Sequence, residues 1–358
     1  MKTYRIAVIP GDGIGQEVVP AAISALEVVA AQSGFAFTWQ HFPWGSQHYF
    51  DHGRMMPPGA LEQLQPFDAI FFGAVGDPRI QDNVTLNGLL LPIRRGFDQY
   101  ACVRPAVLYP GVRCPLAGKQ PGAIDFTVVR ENTEGEYAQV GGVVYPDGPH
   151  GVAVQSAIFT RHGTERVIRF AFELARRRAK KNLVTSITKS NAQGFSMTFW
   201  DTVFAEVAAD YEDIRTESLL VDAACMDLVR RPEHFDVIVA SNLFGDILTD
   251  LGAAITGSLG LAPSANLNPA RAFPSMFEPV HGSAPDIVGR GIANPMAQML
   301  SGVMMLDFLG ETAAAARLER SVLAVLEQGR DVTPDLGGTG TTQGIATAVE
   351  KGIRQSSS

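Results

Sequence analysis

The chain has 358 residues, 46% hydrophobic and 18% charged, enough apolar material for two domains or one large α/β domain. A formal net charge of −8 excludes nucleic acid and anionic lipid as partners of the whole surface. It would also repel a dianionic substrate, so an acid-binding site has to be a local island of positive charge.

In chain order, the N-terminus runs directly into an apolar strand at 5–9, with no separate secretory segment before it. A helical pattern follows at 15–31 and a strand at 69–72. Strands at 124–130 and 152–159 then succeed one another without a helix, separated by Gly141-Gly142 and Asp147-Gly148. This reads as an antiparallel excursion over about 124–160, an arm able to pair with a second copy of the chain. Helices at 163–179, 196–209, 223–230 and 246–255 alternate with strands at 183–188, 219–221 and 237–240. Helices at 295–309 and 313–328 close the pattern, and residues 355–358 read as a frayed tail. The alternation predicts an α/β sheet protein. The stretch 295–309 is interrupted by Gln298, Ser301 and Asp307, too short and polar to span a bilayer. Arg176-Arg177-Arg178 with Lys180-Lys181 reads as a solvated helix end rather than a nucleic-acid patch. Cys102, Cys114 and Cys225 lack CxxC spacing and leave one over, pointing to reduced thiols and a cytoplasmic protein.

Candidate chemistry starts at Asp246 and Asp250. Four residues apart on a predicted helix, their carboxylates share a face and repel unless a cation lies between them. Hard oxygen ligands suit Mg²⁺ or Mn²⁺, and Asp222, at a strand end, is a candidate third ligand. The plainer alternative is two solvated helix acids. Arg94, Arg104 and Arg130 are candidates for the positive island, because a guanidinium grips carboxylate in bidentate fashion at any relevant pH. Structural ion pairs are their alternative role. Lys189 ends a strand, where α/β active sites form, and is a candidate base; Tyr137 is a candidate acid. Gly11-Asp12-Gly13-Ile14-Gly15 is not the GxGxxG fingerprint, so no Rossmann domain is assigned. The stretch 278–287 reads as a functional loop in which Asp286 can accept hydrogen bonds from ribose hydroxyls. His48 and His52 are four apart but lack a third zinc ligand.

Together these segments resemble the β-decarboxylating hydroxyacid dehydrogenases: the isocitrate, 3-isopropylmalate, tartrate and D-malate dehydrogenases. The likeness runs through Ile9–Gly15, Val129–Gly135, Thr188–Asn191, Ser241–Asp250 and Glu278–Asp286. It implies an α/β, isopropylmalate dehydrogenase-like large mixed sheet in two domains, not a Rossmann fold. Residues 1–99 and 252–358 would form the cofactor-binding domain. Residues 100–251 would form a smaller domain with the metal and substrate residues and the arm. The resemblance further implies that Arg94, Arg104 and Arg130 bind the substrate carboxylates and that Asp222, Asp246 and Asp250 bind Mg²⁺ or Mn²⁺. Lys189 would be the base and Tyr137 the acid. Asn191, His281, Gly282, Ser283, Ala284, Asp286 and Asn294 would hold NAD. Asp286 favours NAD over NADP, and a K⁺ requirement stays open. The implied unit is a homodimer in which Asp222 and Lys189 come from the partner subunit.

Substrate choice turns on the segment before Arg94. Gly88 and Leu90 stand where isocitrate enzymes carry serine and asparagine, which counts against isocitrate. Asn87 matches neither the glutamate of isopropylmalate enzymes nor the tryptophan common in the tartrate/D-malate branch. The segments 44–46, 52–57, 96–100 and 262–269 are similar to the latter branch, which is the reading adopted. 3-Isopropylmalate is the alternative, since Leu89, Leu90 and Leu91 can line an apolar pocket. A non-catalytic regulatory subunit is a remoter one, because the catalytic set is complete.

Overall fold

A computed structural model describes residues 1–355; the tail predicted at 355–358 lies, from Ser356 onward, outside the described residues. The chain begins β1 (Lys2–Gly11), α1 (Gly15–Ser33), β2 (Phe35–His41), α2 (Ser46–His52), α3 (Ala60–Leu64), β3 (Ala69–Ala74). A continuous helical stretch follows: α4 (Asp82–Thr85), a π-turn (Leu86–Leu90) and α5 (Leu91–Gly96). Next come β4 (Ala101–Val107), β5 (Asp125–Glu131), β6 (Gly135–Val144), β7 (Val152–Ile158), α6 (Arg161–Arg178), β8 (Leu183–Thr188) and α7 (Ser196–Ala208). They lead to β9 (Arg215–Leu220), α8 (Val221–Arg230), β10 (Val237–Ala240), α9 (Asn242–Ile255), β11 (Pro263–Leu267) and β12 (Ser275–Pro279). The helices α10 (Met296–Leu309), α11 (Thr312–Gln328) and α12 (Thr342–Gln355) complete the described chain.

Ten strands form one sheet in the order β2-β1-β3-β12-β11-β4-β5-β10-β8-β9. Its flanks are parallel, and the pairings β12–β11, β11–β4 and β4–β5 across its centre are antiparallel. The parallel flanks explain the unbroken apolar runs. In β1, Ile6 and Val8 enter one core while Ala7 and Ile9 enter another on the opposite face. A third core, with Phe126, Phe172, Trp200 and Phe235, packs the other flank.

Strands β2, β4, β11 and β12 were not predicted. β4 carries Arg104 and Pro105, both atypical of a central strand. Pro105 is tolerated because β11 pairs only with residues 101–103, so its missing N–H removes no ladder bond on that side. The predicted strand at 219–221 ends a residue early, since Val221 already begins α8. The basic run is not simply solvated. Arg178 pairs with Asp236 at 3.0 Å and with Asp125 at 2.9 Å, tying α6 to the strand ends. The excursion predicted over about 124–160 is shorter than expected: its first strand is β5 of the ten-stranded sheet, and only β6–β7 forms a separate two-stranded hairpin, which exposes Val140, Val143, Val144, Val152 and Val154.

Candidate active site

The site is built where α9 crosses the C-terminal part of β5. A Cβ on Gly245 would stand 2.6 Å from Cβ of Arg130, so only glycine lets the helix approach this closely. The contact brings Asp246, one turn into α9, against two buried arginines. Arg130 donates from Nε and Nη2 to Asn242 Oδ1 at 3.0 and 2.7 Å and pairs with Asp246 through Nη1. Arg104 donates from Nη1 to Thr249 Oγ1 at 2.8 Å and to Asp246 at 3.2 Å. Its Nε donates to Ser264 Oγ at 3.3 Å. Tyr137 donates its hydroxyl to the other oxygen of Asp246 at 2.8 Å, and the Arg130 guanidinium lies 5.1 Å from its ring centroid.

Arg94, at the end of the segment that buries Leu90 in the π-turn, is also buried. It pairs with Glu278 at 2.7 Å, and its Nε is buried without a hydrogen-bond partner. All three arginines therefore form structural ion pairs, and two of them, Arg104 and Arg130, converge on one carboxylate; the two readings are not exclusive.

These charges act unequally on the two acids. Burial pushes the Asp246 carboxyl up, but Arg130 and then Arg104 outweigh it and hold it below the usual carboxylate range. Asp250, exposed at the rim, is raised by partial burial and next by the Asp246 charge. It has no hydrogen-bond partner among the described residues. Burial, and then Asp246, also raise Tyr137, keeping its hydroxyl protonated.

Asp222 and Lys189 lie elsewhere. They face each other at 2.6 Å at the ends of β9 and β8, and Lys189 holds the Asp222 carboxyl below its usual range. No group of three His, Cys, Asp or Glu side chains able to hold one metal ion occurs among the described residues. Asp222 thus does not join Asp246 and Asp250 within a single chain. Asn191, two residues beyond Lys189, is exposed.

The glycine-rich turn after β1 and the loop 281–287 pack together. Ile14 N donates to Ser283 O at 2.9 Å, and a Cβ on Gly13 would stand 2.1 Å from that oxygen. Asp12 ties in two further loops, accepting from Ser46 N at 2.7 Å, Ser46 Oγ at 2.6 Å and Gly76 N at 2.9 Å. These loops line a cavity of about 700 Å³ that includes Gly11, Ser283 and Pro285. His281 bonds the Gly282 carbonyl through Nδ1 at 3.0 Å, and burial lowers its pKa. Gly282, beside it, is exposed, and Ala284 takes a positive φ of 43°. Asn294 is held by Asp335 at 3.0 Å, and Asp286 is exposed.

Sequence reasoning missed the residues that hold the site. Asn242, Thr249, Ser264 and Glu278 were passed over because each looks like an ordinary polar residue until burial aims it at an arginine. The glutamates after Arg130 were also missed. Glu131 accepts from Thr133 N and Glu134 N, Glu134 from Thr160 N, and Glu136 from Ser241 Oγ and Leu243 N. Three carboxylates within six residues were the available signal.

The isocitrate/isopropylmalate dehydrogenase family profile matches residues 5–350. The chain is 53% identical to D-malate dehydrogenase [decarboxylating] of Escherichia coli (strain K12), over 98% of this chain and 99% of that enzyme. It is 49% identical to tartrate dehydrogenase/decarboxylase of Pseudomonas putida, over 97% of each. Among solved structures, isocitrate dehydrogenase from Methylococcus capsulatus superposes with a TM-score of 0.89 at 37% identity, covering 98% of this chain and 100% of that one. Near full-length identity on this scale, together with the shared mixed sheet, makes the chain a member of the isocitrate/isopropylmalate dehydrogenase family.

Proposed function

We propose that this protein oxidises and decarboxylates a small 2-hydroxy dicarboxylic acid, D-malate or tartrate, using NAD and a divalent cation, Mg²⁺ or Mn²⁺. The observation that carries the reading is the pair of buried arginines, Arg104 and Arg130, gathered on Asp246, with the charge of a third buried arginine, Arg94, also acting on that carboxylate. Arg94, Arg104 and Arg130 are balanced by Glu278, Asp246 and Asp250, so the site's own charges cancel. A divalent cation would leave two positive charges, matching the two negative charges of a dicarboxylate. The orphaned Nε of Arg94 is a donor suited to a carboxylate ligand.

The residues fit the cation. The Asp250 side chain has no hydrogen-bond partner among the described residues and is penalised by its neighbour Asp246, and hard carboxylate oxygens are what Mg²⁺ and Mn²⁺ prefer. Asp222 would complete the set from a second copy of the chain, bringing Lys189 with it; the separation of this pair from Asp246 in one chain supports a site shared across a homodimer. The apolar outer face of the β6–β7 hairpin supports it as the dimerisation arm. Residues 1–99 with 252–358 form the cofactor domain, and 100–251 the domain bearing the acids and the arm. The two separate large cores support that division.

When bound, the cation would supply Lewis acidity and NAD would supply the hydride acceptor. The chain's own residues do the rest. The arginines grip the carboxylates and orient the 2-hydroxyl; Leu90 lies against the substrate's variable part. Lys189 takes the hydroxyl proton as the 2-oxo acid forms, and Tyr137 returns a proton to the carbon that loses carbon dioxide. The loop from His281 through Gly282, Ser283 and Ala284 would hold NAD with Asn191 and Asn294. Asp286 accepts from the ribose hydroxyls and disfavours a 2′-phosphate.

No helix of the described residues is long and apolar enough to cross a membrane. Cys102, Cys114 and Cys225 are all free thiols, which supports a cytoplasmic enzyme. The test is a spectrophotometric screen for NADH with D-malate, the tartrate isomers, 3-isopropylmalate and isocitrate, each with Mn²⁺, with and without K⁺. D-malate or a tartrate isomer is expected to give the highest kcat/KM. Preference for 3-isopropylmalate would overturn the substrate assignment. NAD binding without turnover of any diacid would favour a regulatory subunit.

A further inference from the structure

We infer that Glu136 is a positioning residue that sets the acidic pair of α9 from the arm, so that cation affinity depends on a side chain that touches neither cation nor substrate. The inference rests on the assignment of Asp246 and Asp250 to a divalent cation.

Helix α9 starts without a cap of its own. Its N-cap residue is Ser241, a type that normally accepts from the first-turn N–H groups, yet the Ser241 side chain caps nothing. The hydroxyl points away, donating to Glu136 Oε1 at 2.7 Å, while Glu136 Oε2 accepts from Leu243 N at 3.1 Å. A strand residue more than a hundred positions upstream thus supplies the cap, and its negative charge sits at the positive end of the helix dipole. The next residue, Tyr137, donates to Asp246 one turn further along the same helix at 2.8 Å.

Successive residues of a regular strand point to opposite faces. Here both reach α9 because the β6–β7 pairing is irregular between Gly135 and Val140, and Gly135 takes a φ of 72°. Arg95 donates to the Tyr137 and Thr133 carbonyls and fixes the segment from the other side. Asn242 Nδ2 donates to the Glu134 carbonyl at 3.1 Å, a further tie between the same two elements. The base of the hairpin is therefore a two-point clamp on the helix, one point at its first turn and one at Asp246. Releasing the first point lets the helix start shift against Arg130, and the Asp246–Asp250 spacing relative to the arginines shifts with it.

The experiment measures Mn²⁺ binding without turnover, from the electron paramagnetic resonance signal of the free ion, on the intact protein and on Glu136→Ala, Glu136→Gln and Ser241→Ala, with Asp250→Asn as control. For Glu136→Ala the Mn²⁺ dissociation constant is expected to rise about tenfold, the size of a lost helix cap, with NAD binding unchanged. Glu136→Gln, which keeps an acceptor oxygen, should recover part of that loss, and Ser241→Ala should lose less than Glu136→Ala. If Asp250→Asn loses Mn²⁺ while every folded variant at 136 and 241 binds it as tightly as the unaltered protein, the inference is overturned and the cation assignment stands. No saturable Mn²⁺ binding by the unaltered protein would overturn the cation assignment and this inference with it.

Discussion

Replacing Glu278 by glutamine should make the protein less stable and its hold on the diacid tighter. Glu278 is 5% exposed and Arg94 4%, and they meet at 2.7 Å. Glutamine retains an oxygen for Arg94 and for Asn266 Nδ2, which also donates to this carboxylate at 2.7 Å, so the change is one of charge rather than shape. Breaking a buried ion pair costs about 3–5 kcal/mol because the surviving ion is uncompensated; the retained hydrogen bonds favour about 3 kcal/mol. A chain of 358 residues has an unfolding entropy near 0.75 kcal/mol per kelvin, so the midpoint should fall by about 4 °C. The same substitution leaves the arginine site one charge more positive. At an effective dielectric of about 20, a charge roughly 8 Å away is worth about 2 kcal/mol to a carboxylate, and counter-charges leave about tenfold in affinity. Calorimetric midpoints with and without saturating D-malate, and titration of D-malate into the protein, measure both effects. An equal midpoint loss with and without diacid, or weaker binding, would show that Glu278 acts by holding Arg94 in place and would refute the charge-balance argument.

Lys189→Ala is expected to abolish turnover while leaving NAD binding intact; near-normal activity would remove the base assignment. Co-expressing Lys189→Ala with Asp250→Asn should restore about a quarter of normal activity, because in a mixed dimer one of the two shared sites has every residue intact. A site built within one chain would give none. Asp286→Lys should shift the preference from NAD toward NADP in the ratio of kcat/KM values, and an undiminished NAD preference would defeat that role. Half-buried Glu319 on α11 is raised above its usual range by desolvation, which Lys180 and Arg320 offset only in part. Because its folded pKa exceeds its unfolded one, ionisation opposes folding above the folded pKa, and below the unfolded pKa the group contributes nothing. Glu319→Gln should therefore raise the urea midpoint at pH 8 and leave it unchanged near pH 4; a loss at pH 8 would contradict this.

The sequence was most legible where one physical pattern dominated. Apolar runs marked β1, β3 and β10, because strands with parallel neighbours are buried on both faces; β5 and β8 were legible although Thr127, Thr185 and Ser186 interrupt them. The four-residue spacing of Asp246 and Asp250 marked a shared helix face, and both lie on α9. What escaped was whatever depends on partners far along the chain. β4 and β11 form the antiparallel centre of the sheet, but Arg104 and Pro105 in one and Asn266 in the other break the strand pattern. The polar groups of Arg104 are satisfied by Asp246, Thr249 and Ser264, and those of Asn266 by Asn132 and Glu278, all on other segments of the fold.

Residue type and local spacing alone singled out the groups proposed to carry chemistry: acids one helical turn apart, arginines in apolar settings, a lysine at a strand end. Only the tertiary structure decided their company. It gathered Arg104, Arg130 and Tyr137 on Asp246, gave Arg94 to Glu278, and left Asp222 with Lys189, away from the acids it had been grouped with. The reason is that a period of 2 or 3.6 records which way a side chain points, whereas the identity of its neighbour depends on close packing between segments a hundred or more residues apart, such as Gly245 against Arg130.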